Sequence, residues 1–219
     1  MDTNMDDRTR AYLARRAIVE KGAAGLMLIV LSPLFMLISL LIAVRMGKPV
    51  LFRQTRIGQF GEVFTLLKFR TLINNAEEIG GGKIPRELNL VPPLGQKLRL
   101  SSLDELPQLV NVLRGEMSFV GPRPALPDQY AEYTPEQSRR VLVPQGITGL
   151  AQVTHRNAAP WSIRIEKDLE YVSNVGPLLD LKILVRTIYK VVRADGVIAE
   201  VPADSTGIII QKVRAPELN

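Results

Sequence analysis

The sequence of 219 residues contains no cysteine and a single histidine, His155. The absence of cysteine excludes disulfide scaffolds, thiol nucleophiles, iron–sulfur clusters and cysteine zinc sites. One histidine excludes histidine-cluster metal sites and leaves few options for a Ser-His triad. A metal ion would therefore need oxygen ligands, which favours Mg²⁺ or Mn²⁺. The sequence also lacks the P-loop pattern of nucleotide-binding proteins.

Aromatic residues are scarce, at 5% of the chain, whereas Lys and Arg total 28 against 22 Asp and Glu. The formal net charge of +6 suits a partner rich in phosphate, such as nucleic acid, anionic lipid headgroups or a phosphorylated substrate. The chain has no recognisable nucleic-acid-binding module and no aromatics interleaved with basic residues. We therefore expect no nucleic-acid partner.

Residues 22–44 form a long run without a charged residue, GAAGLMLIVLSPLFMLISLLIAV. About 20 apolar residues suffice to cross the hydrocarbon core of a bilayer. The run is too long for the usual core of a signal peptide, so we expect it in the mature protein. Ser32-Pro33 lies at its midpoint, where proline removes a helix hydrogen bond and its ring clashes with the preceding turn.

Basic residues flank this run on both sides, and such residues mark the cytoplasmic side of a membrane segment. They are Arg8, Arg10, Arg15, Arg16 and Lys21 before the run, and Arg45, Lys48, Arg53 and Arg56 after it. A helix that enters the membrane, bends at Ser32-Pro33 and returns to the same face satisfies both flanks. We favour this re-entrant arrangement over its alternatives, a spanning helix and a buried soluble helix.

Residues 50–72 are typical of a β-hairpin. Val50–Thr55 and Glu62–Thr71 are rich in β-branched and aromatic residues, and two glycines bracket the turn between them. Alternation with period 2 puts Phe64, Lys68 and Arg70 on one face of the second strand. The two cations are well placed there to meet phosphates, and a solvated strand face is the alternative.

Residues 177–194 predict an amphipathic helix. Its apolar side chains, at positions 181, 184, 185, 188 and 192, follow the spacing of one helical face, and basic residues at 182, 186, 190 and 193 form a stripe on another. A basic amphipathic helix often lies in the plane of the lipid headgroups. An ordinary helix packed on the core is the alternative.

The segment Arg99–Arg114 is the most informative part of the chain. Apolar residues recur at helical spacing, and Gly115 follows as a stop signal. Ser102 and Glu105 match a capping box, and Asp104 is the alternative cap. Either register puts Asp104 and Glu105 in the first turn of the helix.

Acidic residues at a helix start are often structural, because they cap the helix and complement its dipole. The same position helps to keep a carboxylate ionised, and therefore nucleophilic, and favours an arriving phosphate. A neighbouring carboxylate offers an oxygen ligand to Mg²⁺, which can clamp a diphosphate. Downstream, prolines on both sides of Arg123 restrict the backbone and present a guanidinium suited to bidentate phosphate binding. The alternative for this GPRP motif is a merely rigid turn.

Three blocks of the sequence resemble the bacterial sugar transferase family, whose members are monotopic phosphoglycosyl transferases acting on polyprenyl phosphate. The blocks are KFRT (Lys68–Thr71), SLDELPQLVNVLRGEMSFVGPRP (Ser102–Pro124) and GITGLAQV (Gly146–Val153). The Ser-Pro break in the apolar run is similar to the family's re-entrant membrane helix. The resemblance extends over roughly residues 15–193.

The resemblance implies that sugar-1-phosphate passes from a nucleotide-diphosphate sugar, usually UDP-linked, to undecaprenyl phosphate with release of UMP. It assigns Asp104 as the nucleophile that forms an aspartyl phosphosugar intermediate in a ping-pong reaction. It assigns Glu105 as the partner, with Mg²⁺ (or Mn²⁺) held by both carboxylates. The remaining expected substrate-binding residues are Lys68, Arg70, Arg99, Arg123, Arg156, Asp168 and Tyr171.

The expected fold is α+β in three parts. Residues 1–48 form an N-terminal amphipathic region and the re-entrant helix broken at Ser32-Pro33. Residues 49–197 form a small, largely helical catalytic domain with a β-hairpin and interfacial amphipathic helices, and residues 198–219 form a tail. We expect this fold at the bacterial inner membrane, in contact with membrane lipids, with the catalytic domain on the cytoplasmic face.

The sequence leaves some functional alternatives open. A non-catalytic, membrane-bound scaffold of a polysaccharide assembly system competes with the transferase, and a homodimer competes with a monomer. Departures from the family pattern at Gln145, Thr154-His155 and Val175-Gly176 bear on the identity of the sugar rather than on the chemistry. His155 either touches the substrate or lies at the surface.

Overall fold

A computed structural model describes residues 5–74, 90–155 and 160–193. Helices predominate in these ranges, which confirms the expected α+β class. They are α1 (Asp7–Val30), α2 (Ser32–Met46), α3 (Pro93–Leu100), α4 (Gln108–Arg114), α5 (Pro127–Ala131), α6 (Pro135–Ser138), α7 (Leu150–His155), α8 (Trp161–Ser173) and α9 (Pro177–Arg193). The strands are the antiparallel pair β1 (Leu51–Ile57) and β2 (Val63–Phe69), and the parallel pair β3 (Ser118–Val120) and β4 (Gly146–Thr148). Arg156, the side chain of His155 and the tail lie outside the described residues.

The first two helices are separated by a sharp bend at the predicted position. α1 begins after Asp6, whose carboxylate accepts a hydrogen bond from the Thr9 N–H at 2.9 Å. Pro33 lies in the first turn of α2, where its missing N–H costs no intrahelical hydrogen bond. The two helices are bent by 62°. Among the described helices, none alone has the length and hydropathy to cross a bilayer, whereas α1 and α2 meet that test together as a bent pair.

The apolar half of this helix pair has one exposed side and one buried side. The exposed side includes Leu26, Ile29, Val30, Met36, Leu37, Leu40 and Val44. On the buried side, Ala24 clusters with Phe64, and Ile42 clusters with Phe69 of the hairpin. A large exposed apolar patch marks a binding or membrane surface. Contact with a bilayer stays a prediction.

The charged half of α1 packs on the rest of the protein through polar contacts. Arg16 Nη1 donates to the Tyr171 hydroxyl at 2.8 Å and forms an ion pair with Asp180 at 2.5 Å. Glu20 accepts a hydrogen bond from the Ser118 hydroxyl at 2.6 Å. These contacts join the N-terminal helix to β3, α8 and α9.

The predicted β-hairpin is confirmed. In its register Arg56 lies opposite Phe64 and Phe52 lies opposite Lys68, so these side chains share one face. Arg70 follows β2, and its guanidinium donates to the main-chain carbonyls of Met46, Gly47 and Lys48 at the end of α2.

The second sheet brings the GPRP and GITG motifs together. The Gly121 N–H donates to the Thr148 carbonyl, and the Gly146 N–H donates to the Pro122 carbonyl, each at 2.9 Å. Only glycine allows this approach, because a Cβ on Gly146 would lie 2.1 Å from the nitrogen of Gly121. The nearby core contains Leu13, Val120, Val143, Leu150, Val153, Tyr171 and Ile183.

Helix α9 keeps its apolar stripe exposed. Leu181, Val185 and Ile188 are 58%, 58% and 64% exposed. The buried side of α9 is instead formed by Ile183, which is fully buried, and Thr187, which shares a 2.8 Å hydrogen bond with Thr148. α9 therefore packs on the core, as the alternative expected, but through this other side, while the predicted apolar stripe stays exposed. A place for α9 at the lipid headgroups stays a prediction.

Candidate active site

The acidic pair, Asp104 and Glu105, lies in a short 3₁₀ turn between α3 and α4. Ser102 precedes the turn in a left-handed conformation, with a φ of 57°, and its side chain makes no capping hydrogen bond. α4 begins only after Pro107. The predicted capping box is therefore wrong, and so is the place of the pair in the first turn of the α-helix. A helix that continued from Ser102 would need a main-chain N–H at position 107, which Pro107 lacks. The Glu105 side chain binds Lys68 and Arg123 rather than the main chain at Ser102.

Glu105 connects the hairpin to the GPRP loop. Lys68 Nζ donates to Glu105 Oε1 at 2.7 Å, and Arg123 Nη2 donates to the same oxygen at 2.9 Å. The side chains of Lys68 and Glu105 are only 16% and 21% exposed, so salt screens this pair weakly. Both cations thus contact the same carboxylate oxygen, Oε1.

Asp104 is buried, with 8% exposure, among charged neighbours. Burial, followed by the negative charge of Glu105, raises the pKa of Asp104 to about 6, against the positive charges of Lys68, Arg99 and Arg123. At neutral pH the group is mainly a carboxylate, and one more basic than an exposed aspartate. A basic carboxylate beside several cations is suited to attack an electrophilic phosphorus.

The pKa of Glu105 shifts in the opposite direction. Burial would raise it, but Lys68 and Arg123 outweigh burial and hold the pKa of Glu105 well below its ordinary value. Burial lowers the pKa of Lys68, and the charge of Glu105 opposes that shift. Adjacent titratable groups with pKa values pushed apart are typical of active sites.

Arg99 lies close to the acidic pair. Its Nε donates to the Thr71 hydroxyl at 2.8 Å. Burial lowers the pKa of Arg99, and the charge of Asp104 acts against that shift. The structure thus groups Lys68, Arg99 and Arg123 with the acidic pair, and their contact with a substrate stays a prediction.

Three other expected substrate-binding residues make different contacts. The Arg70 guanidinium binds carbonyls at the end of α2. Asp168 is 2% exposed and pairs with the buried Arg140. Tyr171 is fully buried and donates to Asp180 Oδ1 at 2.7 Å. In this structure none of the three side chains contacts the acidic pair.

Two arginines that were not predicted as site residues contact the main chain of the GPRP loop. Arg56 Nη1 donates to the Pro124 carbonyl at 2.9 Å, and Arg140 Nη2 donates to the Arg123 carbonyl at 2.8 Å. The hairpin register could have indicated Arg56, because its pairing partner, Phe64, lies on the face predicted to meet phosphates. No local pattern in the sequence marks Arg140.

The acidic pair fits a divalent cation with oxygen ligands. Mg²⁺ is usually bound by one or two carboxylates, with water and substrate phosphates completing its octahedron. The carboxylates of Asp104 and Glu105 supply such a set. The part of the chain that the structure describes contains no group of three or more acidic or histidine side chains able to hold a metal. Asp104 and Glu105 are thus the described residues that would hold such an ion.

Comparisons with known proteins identify the family to which this chain is similar. A sequence profile described as bacterial sugar transferase matches residues 11–194. The uncharacterized sugar transferase EpsL of Bacillus subtilis is 43% identical over 182 residues, which are 83% of this chain and 89% of that protein. The UDP-glucose:undecaprenyl-phosphate glucose-1-phosphate transferase of Caulobacter vibrioides is 38% identical over 189 residues, covering 83% of this chain and 71% of that protein.

A longer relative matches over less of its own length. The undecaprenyl-phosphate galactose phosphotransferase of Salmonella typhimurium is 34% identical over 211 residues, which cover 90% of this chain and 44% of that protein. The profile match includes the hairpin, the acidic pair and the GPRP loop, and it extends over nearly all of the described residues. The chain belongs to the bacterial sugar transferase family.

Proposed function

We propose that this chain is a phosphoglycosyl transferase that moves sugar-1-phosphate from a UDP-sugar to undecaprenyl phosphate. The names of the Caulobacter vibrioides and Salmonella typhimurium relatives supply the reaction class and the acceptor. One observation carries the assignment to residues: a buried carboxylate of raised pKa, Asp104, lies beside Glu105, a carboxylate held by Lys68 and Arg123.

In the first half-reaction, the Asp104 carboxylate attacks the phosphorus next to the sugar. A bond forms between an Asp104 oxygen and that phosphorus, the bond from phosphorus to the bridging oxygen breaks, and UMP leaves with the bonding electrons. Lys68, Arg99 and Arg123 offset negative charge on the transferring and leaving phosphates. Mg²⁺ (or Mn²⁺), when bound by Asp104 and Glu105, would neutralise part of the diphosphate charge.

In the second half-reaction, a phosphate oxygen of undecaprenyl phosphate attacks the same phosphorus. The bond from Asp104 to phosphorus breaks, and the carboxylate is restored as the polyprenyl diphosphosugar forms. Two steps spare the site from holding two polyanionic substrates at once. The burial of Asp104 limits the access of water, which would otherwise hydrolyse the intermediate.

The N-terminal helices would bring this chemistry to the lipid. We propose that the bent pair enters and leaves on the cytoplasmic face of the bacterial inner membrane, since basic residues flank both of its ends. Leu103 and Leu106, on either side of the acidic pair, pack against the cluster that contains Ile38 and Ile42 of α2. The carboxylates would therefore lie close to the depth of the lipid phosphates.

The test is UMP release from radiolabelled UDP-sugars, measured with and without undecaprenyl phosphate. We expect a burst of UMP equal to the enzyme concentration without acceptor, and a phosphosugar adduct on the peptide that contains Asp104. Asp104→Asn should abolish the burst, whereas Asp128→Asn, at an exposed position, should retain it. A burst of normal size in Asp104→Asn would refute the nucleophile, and UMP release only with acceptor would refute the two-step order.

A further inference from the structure

The loop that carries Arg123 is anchored almost entirely through its carbonyl groups. Pro122 and Pro124 have no N–H, so this stretch of chain offers few main-chain donors. The carbonyls of four consecutive residues, 122–125, accept hydrogen bonds instead. Their donors are the Gly146 N–H at 2.9 Å, Arg140 Nη2 at 2.8 Å, Arg56 Nη1 at 2.9 Å and the Ile57 N–H at 2.9 Å, in that order.

The donor to the Arg123 carbonyl is itself firmly held. Arg140 is 1% exposed, and its guanidinium also donates to Asp168 and to the Tyr133 hydroxyl. It lies over two aromatic rings, 5.5 Å from the centroid of Tyr133 and 5.4 Å from that of Trp161. A planar guanidinium can stack and donate in several directions at once, which a lysine ammonium cannot do.

The donor to the Pro124 carbonyl comes from a different element. Arg56 lies on β1, and its Nε and Nη2 both donate to Gln54 Oε1, at 3.1 and 2.6 Å. Its Nη1 is thereby directed at the loop. Arg140 instead lies in the 3₁₀ turn of residues 139–141. The main chain is thus fixed from two sides, whereas the Arg123 side chain, 39% exposed, reaches Glu105.

We propose that Arg140 and Arg56 are positioning residues that hold the main chain of the GPRP loop, so that the Arg123 guanidinium stays on Glu105 and meets the substrate diphosphate. The identity of that ligand rests on the proposed function. A guanidinium fixed before binding loses less conformational freedom when the substrate arrives. In this account Asp168, a residue predicted to bind substrate, acts through Arg140.

The test is a double-mutant cycle between Arg140→Lys and Arg123→Ala, with kcat/KM for UMP release as the readout. Arg140→Lys should lower kcat/KM by about 10- to 100-fold in the wild-type background. In the Arg123→Ala background the same substitution should lower kcat/KM by less than about twofold, because the guanidinium that Arg140 positions is gone. Arg139→Lys is the matched control, since Arg139 is half exposed in the same turn and should change neither value. Equal losses in both backgrounds would overturn the proposal.

Arg56→Lys and UDP binding provide two further tests. If thermal melting shows that Arg140→Lys does not fold, the same double-mutant cycle is measured with Arg56→Lys, since Arg56 holds the loop at the Pro124 carbonyl. Calorimetric binding of UDP to the same variants needs no turnover, and Arg140→Lys is expected to weaken UDP binding in the wild-type background but not in the Arg123→Ala background. Wild-type protein that binds UDP but releases no UMP from any UDP-sugar would refute the proposed function. The UDP affinities of the single and double variants would then still test whether Arg140 positions Arg123. Wild-type protein that does not bind UDP would overturn both.

Discussion

At the scale of single residues, the candidate site depends on how differently the protein treats two neighbouring carboxyl groups. Glu105 accepts hydrogen bonds from two cations and stays ionised. Asp104 is buried beside that negative charge, and its pKa rises towards neutrality. One carboxylate therefore holds cations in place, while the other keeps the basicity that a nucleophile needs.

The UMP burst should depend on pH through Asp104. Its rate is expected to fall as the pH drops through about 6, because a protonated Asp104 cannot attack phosphorus. Glu105→Gln removes a negative charge that raises the pKa of Asp104, so the midpoint in this variant should move to lower pH. Rapid-quench measurement of UMP across the acidic range checks both expectations. A midpoint that is unchanged or higher in Glu105→Gln would contradict this account of Asp104.

The same two carboxyl groups should affect stability with opposite signs. The raised pKa of Asp104 means that its contribution to stability is present at low pH and lost as the pH rises through about 6. Asp104→Asn should therefore raise the free energy of unfolding at neutral pH by about 1–3 kcal/mol, and the gain should shrink in acid. Glu105→Gln should lower it, because Lys68 is left buried without its anion. Thermal unfolding in detergent measures both, and a loss of stability in Asp104→Asn would count against its buried, unfavourable charge.

At the scale of elements, the proposed re-entrant membrane topology depends on the bend between α1 and α2. Because the chain has no cysteine, a single introduced cysteine gives an unambiguous label. Asp7→Cys should resist a membrane-impermeant maleimide in intact cells, as should Glu136→Cys in the catalytic part. Asp7→Cys with Ser32→Leu and Pro33→Leu removes the break, favours a straight helix and should expose the introduced thiol outside the cell. Labelling of Asp7→Cys without those changes would show a spanning helix.

The elements that could be predicted from sequence are those with a local cause. The hairpin follows from alternation, the bend from Ser32-Pro33, and the end of α4 from Gly115, which adopts a φ of 81°. The capping box failed because it matches a pattern of residue types, and the position of Pro107 outweighed that pattern. Arg70 shows a similar limit: alternation aligns it with Lys68, but its side chain contacts the end of α2.

The site itself could be predicted only in part. Lys68 and Glu105 are 37 positions apart, and Arg123 is 18 positions beyond Glu105. No periodic pattern links such distant residues, so the resemblance to a family, rather than the spacing, brought them into one prediction. Arg140 was missed because its partners, the Arg123 carbonyl and Asp168, are close to it only in the folded chain.

At the scale of the whole molecule, α9 should act together with the N-terminal helices at the membrane. Val185→Asp with Ile188→Asp puts two charges on its exposed apolar stripe. We expect turnover with undecaprenyl phosphate in liposomes to fall by about threefold or more, because the stripe no longer favours the bilayer surface. The UMP burst without acceptor should be unchanged. Ser173→Asp with Asn174→Asp adds the same charge at exposed polar positions and is the control. Equal turnover in both double variants would contradict a membrane role for α9.

The contacts of α1 have a practical consequence for work with the isolated protein. In its polar half, Arg16 forms an ion pair with Asp180, and Glu20 accepts a hydrogen bond from Ser118. Further along the helix, Ala24 is fully buried in the core. Removing the residues before the hairpin to obtain a water-soluble fragment would leave Asp180 and Ser118 without these partners. It would also expose the apolar cluster that Ala24 covers. α1 is thus part of the folded domain, and a fragment that begins at the hairpin is expected to unfold or aggregate.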